Sequence, residues 1–102
     1  MERRHHKRKP LTMPVELLVA EACLLGASRD VGPEGLSLAI PSVRVKFSPS
    51  TLLDTPVTIR VAQQELGACL KWYTLDESDF LLGLEVANRD RASWLAIVTR
   101  PA

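Results

Sequence analysis

A chain of 102 residues with 46% hydrophobic and 25% charged side chains has room for one globular domain with a modest core, and not for two. The formal net charge is +1, but five basic side chains against Glu2 put +4 on the first ten residues and leave −3 on the other 92. No apolar run reaches the roughly 18 residues of a membrane helix. Glu16 and Glu21 interrupt the one stretch that would otherwise pass for a signal peptide.

The basic segment, residues 1–10, is an arm carrying Arg3, Arg4, Lys7, Arg8 and Lys9. Pro10 and Pro14 bracket Leu11, Thr12 and Met13, and neither proline suits the middle of a sheet, so an extended segment joins the arm to a body at 11–102. The first strand is expected over 15–20, with Val15, Leu17 and Val19 on one face. A second apolar run at 22–28 comes so soon after it that the link is either a tight hairpin around Glu21 or a break at other strand limits. Residues 29–35 collect Asp, Gly, Pro and Gly and read as a turn. Leu36, Leu38 and Ile40 then alternate in a third strand. Residues 41–55 are irregular, with a short alternating piece at 43–47 that reads as a strand plus loop.

Strands at 57–62, 66–73 and 80–86 complete the set, the last two joined by a turn carrying Asp76, Glu77 and Asp79. In the strand over 66–73, Leu66, Ala68, Leu70 and Trp72 share a face by strict alternation. Asn88 or Asp90 is placed to cap a helix over 90–99, and Pro101 stops it. Trp94, Ile97 and Val98 have the spacing of one helix face and are expected to close one end of the fold. About six short strands and one terminal helix predict a small antiparallel β-barrel.

Cys23 and Cys69 lack CxxC spacing and read as small apolar residues of a reduced, cytoplasmic protein. His5 and His6 are adjacent in the arm with no companion ligands, so no metal site is expected. The acidic turn lacks the calcium-loop pattern. No nucleophile has a base and an orienting group at recognisable spacing, which argues against an enzyme. An acidic body without a stripe of aromatic and basic residues argues against nucleic acid, since Phe47, Tyr73 and Phe80 are scattered. Trp72 and Trp94 are expected to be core anchors.

The arm and the 29–35 segment remain. The arginine fork of Arg4 or Arg8 can bond guanine O6 and N7, grip a phosphate or lie flat on a purine. The Asp30 carboxylate can accept from guanine N1–H and N2–H, while Gly32 and Gly35 allow positive φ and close backbone approach. A guanine nucleotide with several phosphate charges satisfies all these groups.

The two segments resemble the motifs of the PilZ domain, a bacterial receptor module for cyclic di-GMP. The family's RxxxR stands here as RHHKR from Arg4 to Arg8, preceded by Glu2 and Arg3. Its second motif, (D/N)xSxxG, stands as DVGPEG from Asp30 to Gly35. LKWYTLDESDFLLGLEV is similar to the family's last two strands, and the terminal helix also matches, so the resemblance covers the whole chain. Gly32 departs from the pattern, standing where the family usually has Ser.

The resemblance implies a six-stranded antiparallel barrel with a C-terminal helix, and a non-enzymatic sensor or adaptor. Cyclic di-GMP would dock between arm and barrel, in some members as an intercalated dimer. Arg4 and Arg8 would hold its guanines, Asp30, Gly32 and Gly35 would line the site, and Arg3 and His5 would stack or contact from the arm. Ordering of the arm would then alter contacts with a protein partner. The alternative is a degenerate module that binds protein and no nucleotide.

Overall fold

In the computed structural model, which describes residues 8–99, alternating apolar residues and two-residue turns roll the chain into a closed barrel. A two-residue strand β1 (Lys9–Pro10) leads into β2 (Pro14–Val19), β3 (Ala22–Gly32), β4 (Gly35–Pro41), β5 (Pro56–Val61), β6 (Gln64–Asp76) and β7 (Asp79–Val86). All neighbours pair antiparallel in the order β1-β3-β2-β5-β6-β7-β4, and β4 pairs with β3 to close a ring of six around the core. Closure leaves no long sheet edge at the waist of the barrel.

One face of each strand fills the interior. Val15, Leu36, Leu38, Ile40, Ile59 and Val86 are essentially inaccessible there, at the positions the alternation assigns. The hairpin between β2 and β3 turns at Ala20 and Glu21, the first of the two links that the spacing allowed. Ala20, Ala62, Gln63 and Glu77 have φ between 51° and 65°, the left-handed backbone that lets two-residue hairpins follow the twist of their strands.

The expected turn over 29–35 shrinks to Pro33 and Glu34, because β3 continues through Asp30 to Gly32. The 43–47 piece is not a strand. Two 3₁₀ turns, Ser42–Arg44 and Pro49–Leu52, occupy this region, the second opened by Pro49. The proline lacks an amide hydrogen for a ladder and fixes the φ that a helical first turn needs.

After a 3₁₀ turn at Asn88–Asp90, α1 (Arg91–Val98) closes the barrel, one residue shorter at each end than the expected 90–99. Trp94, Ile97 and Val98 enter the core, Trp94 with no exposed surface. The indole N–H of Trp94 donates to the Gly32 carbonyl at 2.8 Å, fastening the helix to the end of β3. Asp90 stands at the cap position but makes no capping bond; its carboxylate instead accepts the Gly67 N–H at 2.8 Å. Among the described residues, no helix is long and apolar enough to cross a membrane. Both cysteines are free thiols; Cys23 is exposed, contrary to its expected apolar role, and Cys69 half-buried.

Candidate functional site

Two β-bulges decide what faces outward. Along β3 and β4, Ser28 pairs with Leu38 and the next pair is Asp30 with Ser37, so Arg29 is an extra residue. Along β6 and β7, Leu70 pairs with Leu84 and the next pair is Trp72 with Gly83, so Lys71 is extra. Strand side chains alternate faces with period two, and one inserted residue inverts everything beyond it. Ser28 and Leu70 point inward and are buried, so Asp30 and Trp72 emerge on the outer face. This corrects the expectation that Trp72 is a core anchor in register with Leu70; it is 44% exposed.

The registers then align four residues in one row across four strands. Asp30 lies beside Ser37, Ser37 beside Gly83, and Gly83 beside Trp72. The absence of a side chain at Gly83 is what seats the indole: a Cβ there would lie 2.1 Å from Trp72 Nε1. Glycine beneath an aromatic ring on a neighbouring strand lets the ring lie close to the sheet.

Arg8 reaches the other end of this row. Lys9 and Pro10 pair with Val31 and Asp30, which draws the end of the RHHKR segment onto the start of DVGPEG. Arg8 Nη2 donates to Asp30 Oδ1 at 2.6 Å and Nε donates to the same oxygen at 3.1 Å. Ser37 Oγ donates to that oxygen at 3.1 Å and receives a third Arg8 contact at 3.3 Å. The Arg8 and Asp30 side chains retain 23% and 41% of their exposure, so water or a ligand can reach both.

The segment leading to this pair is pinned by ordinary backbone chemistry. In the gap along β3 between its pairings with β1 and with β2, the buried Ser28 hydroxyl accepts from Met13 N–H and donates to the Leu11 carbonyl. The Ser28 amide donates to the Met13 carbonyl, completing the stitch. Lys9 Nζ caps the Val98 carbonyl at 3.0 Å, a cation at the negative end of α1. The extended link anticipated from Pro10 and Pro14 is therefore held from both sides.

Gly32 and Gly35 face each other across the Pro33–Glu34 turn. Neither adopts the positive φ that glycine allows. Gly35 has a packing reason to be glycine, because a Cβ there would lie 1.9 Å from the Leu84 carbonyl oxygen. Arg3, Arg4 and His5 lie outside the described residues. Ser37 and Trp72 were missed by sequence reasoning. The signal for Ser37 was present, as a lone hydroxyl inside the apolar GLSLAI run.

A groove of about 400 Å³ runs along β3 and β4 beyond the Arg29 bulge, and Arg8, Asp30 and Ser37 are not among the residues that line it. Ala27 and Ala39 are among the residues lining it, together with Thr12, Arg29 and Arg44. Arg29 approaches Asp79 at 3.5 Å and Asp76 at 3.7 Å, which explains the acidic turn as the partner of this arginine. On a different part of the barrel, Arg60 bridges Glu16 and Glu65. The Arg60 hydrogen bond, aided by Cys23, lowers the Glu16 carboxyl below its ordinary value. Among the described residues, no group of His, Cys, Asp and Glu side chains is placed to hold a metal ion.

No family model and no curated relative matches the chain. Thirteen chains of solved structures do. One is the Bacillus subtilis inhibitor of motility MotI/DgrA, with TM-score 0.68 and 15% identity over 98% of this chain. The chain spans about half of that protein, 51% of its length. Another is the PilZ domain of CeSA from a cellulose-synthesizing bacterium, with TM-score 0.62 and 24% identity over 91% of this chain and 95% of that one. The closed six-stranded antiparallel barrel with its C-terminal helix is therefore the fold of a PilZ domain.

Proposed function

We propose that this chain is a PilZ-type receptor domain that binds cyclic di-GMP between its N-terminal arm and the barrel, and signals by changing its contacts with a protein partner. The observation that carries this reading is the Arg8–Asp30–Ser37 cluster on the outer face, where the ends of the two motifs meet. Asp30 offers its carboxylate to guanine N1–H and N2–H. Arg8 offers its fork to the guanine edge or the phosphate. Trp72 adds an exposed aromatic surface in the same row, suited to stacking on a base. Arg4 takes the second guanine, with Arg3 and His5 stacking or making contact from the arm. Binding of an intercalated ligand dimer belongs to the same proposal.

Without ligand, Arg8 and Asp30 satisfy one another. A part-exposed ion pair of this kind is worth about 0–1 kcal/mol, so exchanging it for ligand contacts costs little. The site is thus preformed but not locked.

Calorimetry with cyclic di-GMP, beside GTP and cyclic di-AMP, tests the proposal. The expected result is a dissociation constant of about 1 μM or tighter for cyclic di-GMP, near −8 kcal/mol, and far weaker binding of the other two. Trp72 fluorescence should change on titration, whereas Trp94 is buried away from solvent. No heat and no fluorescence change at saturating ligand would reject this reading in favour of a protein-interaction module that binds no nucleotide.

The departure at Gly32 supplies a second prediction. Gly32 does not adopt positive φ, so serine fits its backbone without strain. Gly32→Ser is expected to add a hydroxyl beside Asp30 on the outer face and to tighten binding about fivefold, near 1 kcal/mol. Affinity by calorimetry and the melting temperature of the free protein check this together. Unchanged affinity with unchanged stability would place residue 32 away from the ligand.

A further inference from the structure

The upper half of β6 is an open strand. β5 pairs with β6 only from Gln64 to Cys69, and a single parallel bridge from Leu53 covers Leu70. Beyond that point the edge of β6 away from β7 has no strand partner among the described residues. Lys71, Trp72, Tyr73, Thr74, Leu75 and Asp76 are all exposed. An unpaired strand edge presents a row of backbone donors and acceptors that favours pairing with another strand.

The side chains beside this edge are apolar where a protected edge would be charged. Tyr73 and Leu75 pair with Leu82 and Phe80 of β7, so they share one face of the hairpin, 37% and 58% exposed. Proline, the usual device against edge pairing, is absent from 71–76, and the charges stand only at the ends, Lys71 and Asp76.

The sequence of this edge matches itself. Antiparallel pairing of two identical strands about a two-fold axis must set a residue opposite itself, because opposed residues have to share a face. With Thr74 on the axis, Thr74 meets Thr74 of the second copy and Tyr73 of each copy meets Leu75 of the other. Trp72 of each copy comes level with Asp76 of the other, while Lys71, the bulge residue whose amine meets Asp54 at 2.9 Å, lies beyond the paired residues. The Tyr73–Leu75 pairs and the central threonine pair are favourable across strands. Moving the axis to Tyr73 would lose both.

We propose that two copies of this chain associate through these edges, β6 against β6 with Thr74 at the two-fold axis, forming one sheet across both barrels. The interface is small, so the association is reversible and depends on concentration. It does not depend on nucleotide binding, and its test contains no nucleotide.

The test is sedimentation of the full chain over a concentration series, with variants at the axis. Wild type is expected to show a reversible monomer–dimer equilibrium. Thr74→Lys or Thr74→Glu alone places like charges directly opposite one another and should weaken association by about tenfold or more. An equimolar mixture of the two should restore dimers as a heterodimer, since only two-fold pairing at residue 74 sets Lys against Glu. Thr74 is exposed, and melting curves would verify that each variant keeps its fold. A wild type that stays monomeric up to its solubility overturns the proposal. So do single variants that associate like wild type, or a mixture that does not recover.

Discussion

Replacing Arg8 by alanine is expected to weaken cyclic di-GMP binding by about ten- to a hundredfold while leaving the barrel folded. A hydrogen bond to a charged group is worth roughly 1.5–3 kcal/mol, and the ligand would lose at least one. An opposing effect must be weighed, because the substitution also frees Asp30 from its present partner. That pair is part-exposed and worth at most about 1 kcal/mol, so the loss prevails. Stability should move by less than about 1 kcal/mol, since Asp30 remains hydrated and keeps its bond from Ser37. Calorimetry and a thermal melt on the same sample separate the two effects. Arg8→Lys should fall between wild type and alanine, retaining the charge but not the planar fork. Unchanged affinity in Arg8→Ala would remove Arg8 from the binding site.

The largest loss of stability is expected at Trp94. Its side chain is fully buried, joins the core and donates to the Gly32 carbonyl. Truncating a buried aromatic to alanine costs about 3–5 kcal/mol, which for a domain of this size lowers the melting temperature by roughly 15–30 °C. Such a loss approaches the whole stability of a small domain. Trp94→Phe keeps most of the ring and deletes the indole N–H, leaving a buried carbonyl without its donor at a cost of about 1–3 kcal/mol. The two melts together apportion packing and hydrogen bonding at the junction of α1 and β3. An equal drop for both would show that the hydrogen bond dominates. A phenylalanine variant as stable as wild type would show that the Gly32 carbonyl needs no partner.

The expected ligand chemistry also bears on why glycine occurs twice in DVGPEG. The two positions answer to different constraints. Gly35 is required by the approach of β7, so a change there tests the fold and not the ligand. Gly32 likewise has no positive φ and lies on the same outer face as Asp30, so it is the informative position for binding. Experiments that treat the motif as a unit would confuse these roles.

Much of this protein was legible in its sequence, for local reasons. Alternation over short apolar runs assigns Val15, Leu17, Leu36, Leu38, Ile40 and Ile59 to the interior, because a strand's side-chain period is fixed by its backbone. Trp94, Ile97 and Val98 follow the helical period equally directly. The arm and the 29–35 segment were identifiable as chemistry because guanidinium, carboxylate and glycine have few uses in such a grouping. Their meeting could not be read from spacing, since it depends on Lys9 and Pro10 pairing with β3. Nor could the two bulges, at Arg29 and Lys71, which turn Asp30 and Trp72 outward against the simple alternation. A bulge depends on how two strands settle their registers, with Ser28 bonded to the crossing segment and Trp72 fitted onto Gly83. The sequence by itself determined which groups are available and which faces are apolar. Only the tertiary structure decided that Asp30, Ser37, Gly83 and Trp72 form one row, because that row is made by register between strands far apart in the chain.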